Sequence, residues 1–174
     1  MSGILPGGAG VGVPLAPTAY PSRVAGRVEE INIAAELEGA LAPVDAVDAL
    51  AGQGLRGDRY CSPQPRPPGE GRDLTLIQAE ALDGLIEEHG IALRGAESRR
   101  NVLTRGIDLN ALVGERFTVG EVECVGIELC EPCAHLQKLT QPGVLRGLVH
   151  RGGLRADIVR GGRIAVGDAV SAVT

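Results

Sequence analysis

The fold is decided by the closing stretch Leu154-Arg-Ala-Asp-Ile-Val-Arg-Gly-Gly-Arg-Ile-Ala-Val-Gly-Asp-Ala-Val-Ser-Ala-Val173. Short runs of valine, isoleucine and alanine alternate there with two glycine-containing turns, Gly161-Gly162 and Gly167-Asp168. β-Branched residues favour strands, and glycine supplies the backbone conformations that tight hairpin turns require. The stretch therefore predicts a β-meander of three short strands.

Further short strands are predicted upstream of this stretch. Each is a run of apolar or β-branched residues bounded by glycine, proline or polar clusters. The predicted strands cover residues 24–33, 43–50, 74–77, 116–119 and 121–129. The last two are expected to meet at Gly120, and Cys124 is expected to be a core residue of the second.

Helical periodicity is less common. Apolar residues recur at helical spacing from Ala79 to Ile86, and Gly90 is suited to end that helix. A second, short helix is predicted at residues 144–150. Many short strands and 26 glycines favour a mainly β fold. We expect a compact antiparallel β-barrel with a few short helices and not an alternating α/β sheet.

Length and composition predict one barrel domain with a flexible end. The chain has 174 residues, of which 44% are hydrophobic, enough for one packed core. Residues 1–22 are rich in glycine, proline and alanine and show no periodicity, so they are predicted to form a flexible tail. The barrel domain is predicted to cover residues 23–174.

Charge and aromatic content narrow the classes of partner. The net charge of −5 does not favour nucleic acid or an anionic membrane. Tyr20, Tyr60 and Phe117 are the only aromatic residues, too few for the stacking platforms of single-stranded nucleic-acid binding. No apolar run reaches the roughly 20 residues that span a bilayer, and no secretory signal is recognisable. We therefore expect a cytoplasmic protein without nucleic-acid or membrane partners.

The residues best suited to chemistry lie in Ile127-Glu-Leu-Cys-Glu-Pro-Cys-Ala-His-Leu136. This segment places Cys130 and Cys133 three residues apart, with a histidine two residues after the second thiol. A thiol attacks, or binds a soft metal, as the thiolate, and cationic neighbours favour that form. Cys133, close to His135, is therefore the candidate reactive residue.

Other interpretations of this cysteine pair are open. The pair could be a redox-cycling dithiol, or Cys130 could be a resolving thiol that protects Cys133. It could also be half of a zinc site, although its spacing supplies only two of the four ligands. The candidates for the other two ligands are Cys61, Cys124, His135 and His150. Cys61, beside a proline-rich loop, is otherwise expected to be exposed and without a role.

A series of motifs resembles the MOSC domain, named for the C-terminal part of molybdenum-cofactor sulfurases. The motifs are Gly54-Leu-Arg-Gly-Asp-Arg59, residues 75–80, Arg99-Arg-Asn101 with Thr104-Arg-Gly-Ile107, Gly114 with Phe117 and Val119-Gly120, Cys130-Glu-Pro-Cys133 with Leu136, Gly152-Gly-Leu-Arg-Ala156, and residues 162–168. Each motif is weak alone, but together they run in the right order over residues 24–173. The resemblance implies a mainly antiparallel β-barrel with a single reactive cysteine, at the position of Cys133.

The resemblance also implies two alternative roles for Cys133. It carries sulfur as a persulfide for delivery to a metal centre, or it ligates molybdenum when a molybdenum cofactor (molybdopterin) is bound. Both roles need a thiolate in an electropositive pocket. Arginine suits the cofactor phosphate because its planar fork donates two hydrogen bonds to one anion. The candidate cofactor-binding residues are Arg59, Arg99, Arg100, Asn101 and Arg155.

A sulfur-carrier or sulfurtransferase-like function is the leading hypothesis. Relatives that reduce N-hydroxylated compounds have a histidine after the Gly-Asp-Arg turn, where this chain has Tyr60. A pyridoxal phosphate-dependent cysteine desulfurase, or another sulfur donor, is an expected partner, and the sulfur acceptor is a protein or a cofactor. The alternatives are a molybdenum-cofactor-binding oxidoreductase with Cys133 as metal ligand, and a non-catalytic module that binds a cofactor or a partner.

Overall fold

The structure of the protein is a computed structural model that describes residues 25–173. The predicted flexible tail at residues 1–22 lies outside the described residues. The strands are β1 (Gly26–Ile33), β2 (Ala42–Val44), β3 (Ala46–Leu50), β4 (Gly54–Leu55), β5 (Leu74–Gln78), β6 (Val102–Arg105), β7 (Arg116–Val119), β8 (Val122–Leu129), β9 (Leu154–Arg160), β10 (Gly162–Ala165) and β11 (Ala169–Ala172).

The helices within residues 25–173 are short. They are α1 (Ala79–His89), α2 (Ala134–Leu139) and α3 (Val144–Gly147), with 3₁₀ turns at Ala96–Ser98 and Asn110–Leu112. Helix α1 matches the prediction and ends at Gly90, whose φ of 67° is left-handed and whose N–H donates to the Ile86 carbonyl at 2.8 Å. None of these helices is long and apolar enough to cross a membrane.

Seven of the described strands close into a barrel. Their order is β11-β7-β8-β9-β5-β6-β1, and β1 pairs with β11 to complete the circle. Neighbouring strands are antiparallel except β5 and β6, which run parallel. Strand β2 pairs with the C-terminal part of β1, beyond its pairing with β11. The predicted fold class, a mainly β barrel with a few short helices, is confirmed.

The closing stretch forms three strands, but the predicted meander is wrong. Strand β10 leaves the barrel and pairs with β3 in a separate sheet, β10-β3-β4. Glycine permits this change of sheet, because a Cβ at Gly161 would lie only 2.6 Å from the Ala49 carbonyl oxygen. The single strand predicted at residues 43–50 also divides at Asp45, since β2 pairs with β1 whereas β3 pairs with β10.

Two hydrophobic cores position the elements around the site. The barrel interior packs aliphatic side chains around Phe117 and includes Cys124, as predicted. Burial raises the pKa of the Cys124 thiol to about 12, so this cysteine is protonated at neutral pH. The second core joins α1, α2 and α3 to β5 and β6, and it includes Leu85, Leu136 and Leu148. This packing fixes the start of α2 beside the barrel.

Candidate functional site

Cys133 lies at the N-terminus of α2, just after β8. Its backbone is extended, with φ −131° and ψ 165°, and its Sγ accepts a hydrogen bond from the Leu136 N–H at 3.4 Å. The thiol therefore caps the first turn of the helix, a position usually held by a side-chain oxygen. Because Leu136 is buried in the second core, the capping contact holds an exposed thiol in a defined place.

A cavity of about 450 Å³ lies beside this thiol. Its volume falls within the range of small-molecule sites, about 300–1,000 Å³. The structure brings all six predicted site residues to its wall: Arg59, Arg99, Arg100, Asn101, Cys133 and Arg155. Cys130 and His135 line it as well. Among the described residues, no aspartate or glutamate lines this cavity, so its charged lining is cationic.

Three separate parts of the fold deliver the predicted arginines to this wall. Arg59 lies in the turn after β4, and residues 99–101 form the segment that enters β6. Arg155 lies on β9. Strand β5 lies between β6 and β9 in the barrel, so residues distant in sequence become neighbours across it. This convergence depends on strand order and could not be derived from spacing alone.

Two arginines of the cavity were missed by sequence reasoning. Arg66 lies in the proline-rich loop at residues 63–71, and Arg72 directly follows that loop. The Nη1 atom of Arg66 donates to the Asp73 carboxylate at 3.0 Å and to the Gln53 carbonyl at 2.9 Å. The Gly71 N–H donates to Asp157 at 2.8 Å. These contacts attach the loop to the barrel. In the sequence, the position of the loop between two site motifs, residues 54–59 and 75–80, was the signal that could have indicated its role.

The side chain of Arg59 is only 4% exposed. Its Nη1 lies 3.4 Å from Asp58 Oδ1, and its Nη2 donates to the Arg99 carbonyl at 3.4 Å. Asp58 also accepts the N–H groups of Ala34 and Tyr60, each at 3.1 Å, so it orients both the turn and the Arg59 side chain. The Arg59 Nε atom is buried and has no hydrogen-bond partner among the described residues.

Arg99 joins the cavity to the loop that follows β1. Its φ of 62° is left-handed, a strained conformation for a residue with a Cβ. Its Nη1 and Nη2 atoms donate to the carbonyls of Gly39 at 3.1 Å and Leu37 at 2.9 Å. Burial, and secondarily the charge of Arg59, lower the pKa of its guanidinium. Two cavity cations are thus held close together, a costly arrangement that an anion would relieve.

Arg100 is buried and donates to three backbone carbonyls. Its Nε donates to Gly152 at 2.8 Å, its Nη1 to Ser98 at 3.1 Å and its Nη2 to Cys130 at 3.0 Å. All of its described acceptors are therefore uncharged, and no carboxylate within residues 25–173 forms an ion pair with it. Arg100 ties the cysteine segment to the loop before β9.

Asn101 connects three strands of the barrel. Its Oδ1 accepts from the Thr75 hydroxyl at 2.9 Å and the Thr75 N–H at 3.3 Å, while its Nδ2 donates to the Asn32 carbonyl at 3.2 Å. The amide is thus engaged within the protein. Arg155 differs, because its side chain is 41% exposed and its ion pair with Glu128 is long, 3.5 Å. Arg155 is the predicted arginine with the most freedom to contact a ligand.

The structure also shows where the candidate zinc ligands lie. No group of three or more His, Cys, Asp or Glu residues in residues 25–173 is placed to hold a metal ion, so the zinc interpretation finds no support. His150 lies outside the cavity lining and pairs with Glu131 at 2.9 Å. Cys61, expected to be exposed, is partly buried and does not line the cavity.

Fold and site together define a class: a closed β-barrel with one exposed thiol at an arginine-lined cavity. A family model described as the MOSC domain matches residues 63–171. The chain belongs to the MOSC domain family, in agreement with the resemblance of its motifs.

Solved structures share this fold. The YuaD protein from Bacillus subtilis superposes with a TM-score of 0.72 at 18% identity, covering 85% of this chain and 95% of that one. YiiM from Geobacillus stearothermophilus gives a TM-score of 0.68 at 14% identity, covering 86% and 75%. YiiM from Escherichia coli gives 0.62 at 18% identity, covering 85% and 70%. No curated protein matches the chain by sequence.

Proposed function

We propose that this protein is a sulfur carrier of metal-sulfur or molybdenum-cofactor metabolism, with Cys133 bearing the transferred sulfur as a persulfide. One observation carries the proposal: an exposed thiol stands at a cavity whose charged lining is cationic. A persulfide is an anion at neutral pH, and arginine remains charged at any relevant pH. The site therefore suits a negatively charged sulfur species.

The surroundings of Cys133 support a nucleophilic role. The Leu136 N–H points at Sγ and stabilises a charge there, as a backbone donor does at other anions. Arg100 and Arg59 add buried positive charge to the same wall. A thiolate is the form that attacks sulfur, so these contacts favour the reacting state.

The loading step is an exchange between sulfur atoms. The Cys133 thiolate attacks the terminal sulfur of a donor persulfide, forming the Cys133 Sγ–S bond. The donor's S–S bond breaks, and its cysteine leaves as a thiolate with the electron pair. No external oxidant is needed, because the sulfane sulfur arrives already oxidised. The donor in this proposal is a cysteine desulfurase, and a second protein or a cofactor accepts the sulfur.

A second candidate, a molybdenum-cofactor oxidoreductase, is favoured by the buried Arg59 Nε that has no partner among the described residues. The cavity residues fit such a cofactor: Cys133 is a soft metal ligand, and Arg59 and Arg155 would hold its phosphate. When bound, the cofactor would supply redox chemistry at its metal. The arginines would position it and neutralise its charge.

Intact mass spectrometry tests the leading proposal. The protein is incubated with a cysteine desulfurase and cysteine, without reductant, and then weighed. We expect a gain of about 32 Da, one sulfur atom, that is lost on adding a thiol reductant. Cys133→Ser should gain nothing, whereas the control Cys61→Ser should behave like the natural chain. A gain of sulfur in Cys133→Ser would overturn the assignment.

Elemental analysis separates the two candidates. Protein purified from a host that makes molybdenum cofactor is analysed for molybdenum. A carrier should contain far less than one equivalent. One equivalent of molybdenum that is lost in both Cys133→Ser and Arg59→Gln would identify the oxidoreductase instead.

A further inference from the structure

Cys130 also belongs to the wall of the cavity. It lines the same cavity as Cys133, whereas Cys61 and Cys124 do not. The two thiols are separated by Glu131 and Pro132 only, in a segment without helix or strand structure. Three residues span at most about 10 Å even when fully extended, so the two Cα atoms stay within that distance of each other in any conformation of this segment.

The two cysteines are held very differently. Cys130 is only 3% exposed. Its N–H donates to the Gly153 carbonyl at 2.7 Å, and its carbonyl accepts from Arg100 at 3.0 Å. Cys133 is exposed and caps a helix of six residues. Reagents from solution therefore reach Cys133 first, whereas the buried Cys130 is held in a fixed position.

We infer that Cys130 is a catalytic resolving thiol, which releases the sulfur carried by Cys133 as sulfide. This inference rests on the proposed persulfide function and adds a route of release that needs no acceptor protein. The observation that carries it is the pairing of one exposed and one buried thiol on a single cationic wall. Reactive, solvent-accessible cysteines are often poised next to a resolving cysteine.

The chemistry balances without an added oxidant. The proton of the Cys130 thiol passes to the terminal sulfur of the persulfide anion, and the sulfur of Cys130 attacks Sγ of Cys133. A disulfide forms between Cys130 and Cys133, and the Sγ–sulfane bond breaks. The terminal sulfur leaves with the electron pair as HS⁻, so it is reduced while the sulfur of Cys130 is oxidised. A small thiol, such as dithiothreitol, then reduces the disulfide and restores both cysteines.

Arg100 supports this step by its position. It contacts the carbonyl of Cys130, and all of its described acceptors are uncharged backbone carbonyls. Arg100 therefore fixes the backbone of Cys130 and brings a buried positive charge to the segment that carries both thiols. Disulfide geometry needs Cα atoms about 4.4–6.8 Å apart. Because the backbone of Cys130 is held at both its N–H and its carbonyl, any movement that brings the two Cα atoms to this distance falls to Cys133 and Pro132.

The experiment loads the protein through a cysteine desulfurase and follows free sulfide and intact mass together. The natural chain should first gain about 32 Da, then release about one equivalent of sulfide and become about 2 Da lighter than its dithiol form. Cys130→Ser and Cys130→Ala should load at Cys133 but keep the added sulfur, with sulfide release at least about tenfold slower. Cys61→Ser should behave like the natural chain.

The outcomes distinguish this inference from the proposed function. If the natural chain holds its persulfide as long as the Cys130 variants do, the resolving role is wrong and the carrier function stands. If neither the natural chain nor the Cys130 variants gain sulfur at Cys133, both fail. Peptide mapping provides the remaining criterion, since a disulfide that joins Cys133 to Cys61 would also overturn the assignment.

Discussion

The Nη2 atom of Arg100 donates a hydrogen bond to the carbonyl oxygen of Cys130 at 3.0 Å. This contact joins a buried cation to the segment that carries both cavity thiols. The same guanidinium holds the Gly152 carbonyl at 2.8 Å, so one side chain fixes the relation between the cysteine segment and the loop before β9. From the sequence we predicted that Arg100 binds the cofactor, whereas its contacts with backbone carbonyls favour a role in positioning the cysteine segment.

Replacing Arg100 should damage both stability and thiol reactivity. Arg100→Met removes hydrogen bonds to three carbonyls, so we expect the free energy of unfolding to fall by about 2–3 kcal/mol in urea titrations. Alkylation of Cys133 at neutral pH should slow as well, because a buried positive charge is lost. Arg100→Lys should restore much of the alkylation rate but less of the stability. Arg94→Met, at an exposed arginine, is the control; equal effects in both variants would contradict the assignment.

The arginine-lined cavity should select anionic reagents. We expect Cys133 to react faster with iodoacetate, relative to neutral iodoacetamide, than a free cysteine does, and the preference should weaken with added salt. Arg155→Gln should lower the rate ratio by about twofold to fivefold. Arg163→Gln, at an exposed arginine on β10, should leave it unchanged. An unaltered ratio in Arg155→Gln would show that this cavity does not attract anions at Cys133.

Gly152 should not tolerate a side chain. A Cβ there would overlap the Cys130 carbonyl oxygen and come within 2.9 Å of Pro132 Cδ. Gly152→Ala should therefore displace the cysteine segment, lower the free energy of unfolding by about 1–3 kcal/mol and change the alkylation rate of Cys133. Gly84→Ala is the matched control, because its Cβ would meet only the ends of flexible side chains and the substitution favours helix α1. Equal losses of unfolding free energy in Gly152→Ala and Gly84→Ala would contradict this steric account.

The contact between Glu131 and His150 should make stability depend on pH. Hydrogen bonds from the His150 N–H and ring lower the pKa of Glu131. A lowered carboxyl pKa stabilises the folded state above the unfolded pKa of about 4.5, and this stabilisation is lost as the pH falls through the folded pKa. Urea titrations should thus show Glu131→Gln less stable than the natural chain at neutral pH, with the difference disappearing in acid. A difference that persists at low pH would contradict this account.

Local sequence patterns predicted the helices and strands better than they predicted which strands pair with each other. The helix ending at Gly90 and the buried place of Cys124 follow from periodicity and were confirmed. The pairing of β10 with β3 was not predictable, because it depends on how closely Gly161 approaches Ala49. Spacing can indicate that a strand exists, but its neighbour is chosen by contacts distant in the chain.

The candidate site, too, was only partly predictable from the sequence. Arginine and cysteine motifs identified residues that the barrel gathers on one wall. The individual contacts of these residues could not be predicted, since the acceptors for Arg100 and Asn101 lie on loops and strands that are far away in the sequence. Arg66 was missed because its role depends on Asp73, whose own position is set by β5. Motifs therefore indicated the chemistry, and tertiary contacts decided which side chains are left to meet a ligand.

The central claim is that Cys133 carries sulfur derived from cysteine. The most direct measurement is peptide mapping by tandem mass spectrometry after incubation with a cysteine desulfurase and isotopically labelled cysteine, on the Cys130→Ser chain so that the adduct persists. We expect labelled sulfur on the peptide that contains Cys133 and on no other cysteine peptide. Labelled sulfur distributed over the cysteine peptides, or absent from that of Cys133, would contradict the account.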